Sequence, residues 1–181
     1  MVALCVLTGR AWQTSGPPTP DPARLRAWAA VSLILVFAQI AVGASFRHFK
    51  SSTALWSHIT LAVVVLGVTH VVAARVRRRR GQAGLLLPSA RALVVATTIQ
   101  VALGLLALWL MLPLGGNPRT PTLWQAMTRT AHQTNGALLL AASVVLALRA
   151  FGHLRPSSDS RPPLQNQNRT EPHPQTLEAV A

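Results

Sequence analysis

The sequence predicts an all-α fold: a polytopic membrane protein whose four transmembrane helices form a bundle of two repeated helical hairpins. Three observations carry that reading. Half of the 181 residues are apolar and the mean hydropathy is +0.37, too high for an ordinary soluble domain. All four acids, Asp21, Asp159, Glu171 and Glu178, lie near the ends, so residues 22–158 contain no carboxylate. Two apolar runs repeat one plan, His58 leading to Arg75 and His132 leading to Arg149, each pair 17 residues apart. At about 1.5 Å per residue that spacing covers roughly 25 Å, near the thickness of a bilayer's hydrocarbon core.

Residues 1–23 read as an N-terminal linker on the cytoplasmic side. The apolar part of MVALCVLTGRAW is too short to span, and GPPTPDP is an extended connection rather than a signal-peptide cleavage region. Residues 24–152 form the transmembrane domain. Its four spans are predicted at Ala27 to Ser45, Ala54 to Ala74, Ala92 to Leu112 and Ala131 to Leu148. Residues 153–181, rich in Pro, Ser, Gln and Asn, are predicted to be a disordered cytoplasmic tail. The single cysteine, Cys5, has no partner within the chain for a disulfide.

Charge sets the predicted orientation. Arg24, Arg26, Arg75, Arg77 to Arg80, Arg91, Arg149 and Arg155 fall on one side, against Arg47, Lys50, Arg119 and Arg129 on the other. The first group marks the cytoplasmic face of an inner (plasma) membrane, with both termini there. His58 and His132 then lie at the outward end, with Trp56, Trp109 and Trp124 at the outer interface and Trp28 at the inner one. The net charge of +13 is accounted for by this topological role, which argues against nucleic acid as a partner.

The repeat reaches into the other two segments. Gln39-Ile-Ala-Val-Gly43 and Gln100-Val-Ala-Leu-Gly104 stand ahead of the two histidine-bearing segments. A pseudo-two-fold axis along the membrane normal would place His58 opposite His132, where two neutral imidazoles can ligate a haem iron from both sides. Gly43, Gly104 and Gly136 offer space beside such a group. Arg47, Lys50 and Arg129 are candidates for its propionates, or plain interface charges. Gln39 and Gln100 are candidate supporting donors, or helix-packing contacts. His48 is an alternative ligand or propionate partner. His70, whose repeat counterpart is Val144, reads as a packing histidine rather than a second haem site.

Gln39, Gly43, Arg47 and His48 in the first segment, His58 at the head of the second and His132-Gln133 at the head of the fourth resemble the haem A synthase, or cytochrome oxidase assembly, family. The resemblance covers about residues 24 to 152. It implies one four-helix half of an eight-helix plan, with His58 and His132 as paired haem ligands. It also implies oxidation of a haem O methyl group to a formyl to give haem A, with haem b as the relaying cofactor of the other half. A haem O synthase, cytochrome oxidase or a second copy of the chain would be partners. The catalytic half of that family usually has a glutamate one turn before its first histidine and a cysteine pair in the first loop. Here Thr53 to Ser57 precede His58 and the loop is short, which points to the cofactor-type half or a divergent member. Two other readings stay open: a non-catalytic bis-histidine b-type cytochrome, and a haem-free membrane scaffold.

Overall fold

The computed structural model describes residues 18–19, 22–78, 84–111, 122–153 and 155–156. Four helices make up nearly all of this: α1 (Pro22–Phe49), α2 (Ser52–Arg78), α3 (Leu86–Met111) and α4 (Leu123–His153). A two-residue parallel pairing of Pro18–Thr19 (β1) with Arg155–Pro156 (β2) brings the chain together beside the start of α1 and the end of α4. The rest of the predicted N-terminal linker and of the predicted disordered tail lies outside the described residues.

All four helices are long and apolar enough to cross a membrane. Their apolar residues do not keep to one stripe. Ile34, Phe37, Val63, Val95, Leu105 and Leu138 are all more than half exposed. A helix apolar all round is at home in lipid, not water. The chain is thus a multi-pass membrane protein, as expected.

Each helix starts before the apolar segment that announced it, because hydropathy sees only the hydrocarbon core while the backbone ladder continues into the interface. The largest correction concerns α4, which starts at Leu123 instead of Ala131. A capping box explains the earlier start. The Thr122 N–H donates to Gln125 Oε1 (3.1 Å) and the Gln125 N–H donates to Thr122 Oγ1 (3.3 Å), which satisfies donors that an N-terminus leaves orphaned. His132 therefore lies about two and a half turns inside its helix, not at its head. Between α1 and α2 the turn is tight. Lys50 takes a left-handed conformation (φ 49°), and its N–H donates to Phe46 O at 2.9 Å. Glycine is the usual residue at such a helix end.

α1 packs against α2 and α4, and α3 packs against the same two, so the helices form a square with α1 opposite α3 and α2 opposite α4. The repeat holds position by position within it. The buried residues of α1, Leu25, Ala29, Ser32 and Val36, correspond to Leu86, Ala90, Leu93 and Thr97 of α3, all buried and each 61 positions on. Those of α2, Val65, Thr69, Val72 and Val76, correspond to Leu139, Ser143, Leu146 and Ala150 of α4, again all buried and each 74 positions on. Even a side-chain bond repeats. Thr69 Oγ1 donates to Leu66 O (2.9 Å), and Ser143 Oγ donates to Leu140 O (2.8 Å). Small and hydroxyl-bearing residues at these positions let the helix backbones approach, which is how helices associate where lipid removes the hydrophobic drive.

The core is polarised along the bundle. Its buried residues lie toward the arginine-rich end, up to Val36, Val65, Thr97 and Leu139. Beyond that layer, among the described residues, only Thr128 and Gly136 are fully buried. The arginines at the packed end also occupy paired places. The Arg75 guanidinium stacks 4.2 Å above the Trp28 ring, and Arg149 donates to Ser89 Oγ (2.6 Å) and Leu85 O (3.0 Å). Arg149 is the counterpart of Arg75, and Ser89 the counterpart of Trp28. One Arg75 guanidinium nitrogen is buried without a hydrogen-bond partner, so the packed end holds a partly buried cation.

Candidate functional site

His58 of α2 and His132 of α4 each lie seven residues from the last residue of the packed hydrophobic layer on their helix, Val65 and Leu139. Seven residues are almost two whole turns, so both imidazoles continue the inward-facing stripe about 10 Å beyond the packed layer. They meet across the bundle. Their ring centroids are 6.4 Å apart, with the ring planes at 78°.

Each ring rests on a glycine of the preceding helix. A Cβ on Gly43 would stand 2.7 Å from His58 Cε1 and 3.1 Å from its Nδ1; one on Gly104 would stand 3.2 Å from His132 Cε1. These glycines make room for the imidazoles themselves, a more specific role than space beside a cofactor. Gly136 does the same for Gln100, whose Nε2 would lie 3.3 Å from an added Cβ.

Each ring also meets a glutamine. Gln39 Nε2 lies 3.4 Å from His58 Nε2 and donates to His58 O at 2.9 Å. Gln100 Nε2 lies 3.2 Å from His132 Nε2. With the amide nitrogens as donors, both Nε2 atoms are acceptors and the proton sits on Nδ1. Both imidazoles are then neutral with the Nε2 lone pair directed at a donor, the form in which histidine ligates metals. The two Nδ1 atoms are buried and have no hydrogen-bond partner.

The two sides differ in the partners of their glutamines: Gln39 is held by the carbonyl of His58, Gln100 by another side chain. Asn135, one turn after His132, donates to Gln100 Oε1 (2.7 Å) and to Ala96 O (2.9 Å), binding α4 to α3. Its counterpart in α2 is Leu61, and Gln39 Oε1 is buried without a partner. An open groove of about 650 Å³ runs along the outer surface here, lined by residues including Val42, Ser57, Leu61 and Val64. Asn135 was not singled out from sequence. Its spacing of three residues from His132 was the signal available.

The other predicted site residues take different places. Arg47 is exposed but continues the Gly43 stripe one turn further toward the open end. His48 is exposed and about 120° round α1 from that stripe. Lys50 and Arg129 are exposed at the same end of the bundle. His70 is exposed, with Nδ1 2.8 Å from Leu66 O of its own helix; it is satisfied locally and not packed in the core as expected. Trp56, Trp109 and Trp124 are all exposed at the histidine end, and Trp28 lies under Arg75 at the other.

No group of three or more His, Cys, Asp or Glu side chains gathers among the described residues. A bare zinc ion takes three or four protein ligands, so two imidazoles suit it poorly. A haem iron takes its equatorial ligands from the macrocycle and asks the protein only for axial ones. Two opposed imidazoles, their ring centroids 6.4 Å apart, would meet that demand, each Nε2 giving up its glutamine contact to hold the iron. No family model matches the chain, and neither a curated protein nor a solved structure matches it.

Proposed function

We propose that this chain is a membrane haem protein in which His58 and His132 are the two axial ligands, acting in haem A biosynthesis and cytochrome c oxidase assembly as its resemblance to the haem A synthase family implies. The observation that carries the reading is the pair of neutral imidazoles facing each other at 6.4 Å across a bundle that repeats around them. Haem bound there would supply the redox chemistry, and in the enzymatic reading haem O would be the substrate and haem A the product. The chain's own part is to hold and orient. Gly43 and Gly104 seat the rings, Gln39 and Gln100 keep Nε2 unprotonated until haem takes it, and Arg47 is the cation best placed on the inward stripe to meet a propionate. The arginine-rich end faces the cytoplasm and the haem end faces outward.

A second reading, a non-catalytic bis-histidine b-type cytochrome, is favoured by one observation: residues 22–158 contain no carboxylate to handle protons beside the ligands. The experiment is to purify the protein in detergent from haem-sufficient cells, extract the haem and identify it. Haem O or haem A supports the synthase-type role; haem b alone supports the electron carrier. A well-folded preparation without haem refutes both.

A further inference from the structure

At the arginine-rich end the two hairpins treat matching cations differently. In the second hairpin Arg149 is satisfied within the protein: its guanidinium donates to Ser89 Oγ at 2.6 Å and to Leu85 O at 3.0 Å. In the first hairpin the corresponding corner is rebuilt. Trp28 stands where Ser89 stands, Arg24 where Leu85 stands, and Arg78 where Gly152 stands. Arg75 therefore meets the face of an indole, its guanidinium carbon 4.2 Å from the ring centre, in place of a hydroxyl. One of its nitrogens is buried without a hydrogen-bond partner. An arginine held by a serine and a carbonyl in one hairpin is, in the other, an arginine stacked on tryptophan with two further arginines beside it.

We infer that this corner, Arg75 and Arg78 of α2 beside Trp28 and Arg24 of α1, binds the phosphate of an anionic phospholipid. Arg24 lies one turn before Trp28 and Arg78 three residues after Arg75, so each helix carries its pair on one face, and the Arg75–Trp28 stack joins the two faces at the α1–α2 seam. Stacking uses one face of the guanidinium and leaves its N–H groups in the guanidinium plane, where a phosphate accepts from two of them at once. A partly buried cation at a membrane edge is costly unless an anion meets it, and residues 22–158 contain no carboxylate to do so. The corner lies at the ends of two membrane-spanning helices, and Val71, one turn before Arg75, is exposed. A phospholipid fits both features, with its phosphate at the arginines and an acyl chain beside the apolar surface below them. The inference does not depend on haem.

The test is a titration of the full-length protein in detergent with phosphatidylglycerol, phosphatidylcholine and inorganic phosphate, read as bound lipid by native mass spectrometry and as the thermal midpoint. Phosphatidylglycerol should bind more tightly than phosphatidylcholine and raise the midpoint, and inorganic phosphate should leave the midpoint unchanged. Arg75→Gln should weaken phosphatidylglycerol by about tenfold and the exposed Arg78→Gln by about fivefold, whereas Arg91→Gln, which removes an equal exposed charge from α3, should stay within about twofold of wild type. Trp28→Ser, which hands Arg75 the hydroxyl that Arg149 has, should also weaken the lipid. Equal losses in Arg78→Gln and Arg91→Gln would mean general attraction to a charged surface and overturn the site, even if Arg75→Gln fails to fold. Equal binding of the two lipids overturns the requirement for an anionic headgroup. A midpoint raised as much by inorganic phosphate as by phosphatidylglycerol would make the corner a soluble-anion site and overturn the lipid as its occupant.

Discussion

The first hairpin, α1 with α2, and the second, α3 with α4, are two versions of one design, and they differ in how the glutamine beside each imidazole is held. Both bury the corresponding core positions of the packed end, seat an imidazole on a glycine and point a glutamine at it. The first is tighter at the glycine, 2.7 Å against 3.2 Å for an added Cβ, and looser at the glutamine, whose oxygen is unpartnered. The second has Asn135 to complete its network. A two-fold repeat thus fixes where two imidazoles meet, while the polar partners around them differ between the halves.

That comparison can be broken most strongly at the glycines. Gly43→Ala should displace the His58 ring, because a Cβ at 2.7 Å is closer than real contacts allow and the imidazole is wedged against its helix. Overpacking of this kind costs about 1–3 kcal/mol, readable as a lower midpoint in detergent thermal unfolding and as lost haem. Gly104→Ala, at 3.2 Å, should do the same to His132 with a smaller loss. Asn135→Leu comes next. It strands Gln100 Oε1 in the protein interior, which costs roughly 1–3 kcal/mol, and a thermal midpoint within error of wild type would show that the network adds nothing to stability. Gln125→Ala removes half of the α4 capping box, for about 1 kcal/mol. Gly67→Ala is the smallest change. Nothing lies within 4 Å of its added Cβ, so the midpoint should hold or rise by the few tenths to about 1 kcal/mol that alanine gains over glycine inside a helix.

Much of the frame was legible because it depends on periodicity and spacing. The absence of carboxylates from 22–158, the four apolar segments and the 17-residue interval from histidine to arginine are properties of the chain in one dimension, and a bilayer translates them directly into spans and depths. Gln39 and Gln100 were legible as partners because each lies four residues, one turn, before a glycine. What hydropathy hid was the polar first turns of α4, where a capping box and not apolarity decides the start. It also hid the exposure of His70, since a helix apolar all round gives no cue to which face turns inward. Asn135 lay in view three residues after His132. Its importance depends on Gln100, 35 residues earlier and on another helix, and only packing shows that contact.

The central claim is that His58 and His132 together hold one haem. The most direct measurement is the haem content per chain of the wild type and of the His58→Ala/His132→Ala double variant, purified side by side in detergent from haem-sufficient cells and quantified by extraction. The account predicts about one haem per chain in the wild type and almost none in the double variant, with both proteins helical and folded. Equal haem in the two would place the cofactor elsewhere and contradict the claim.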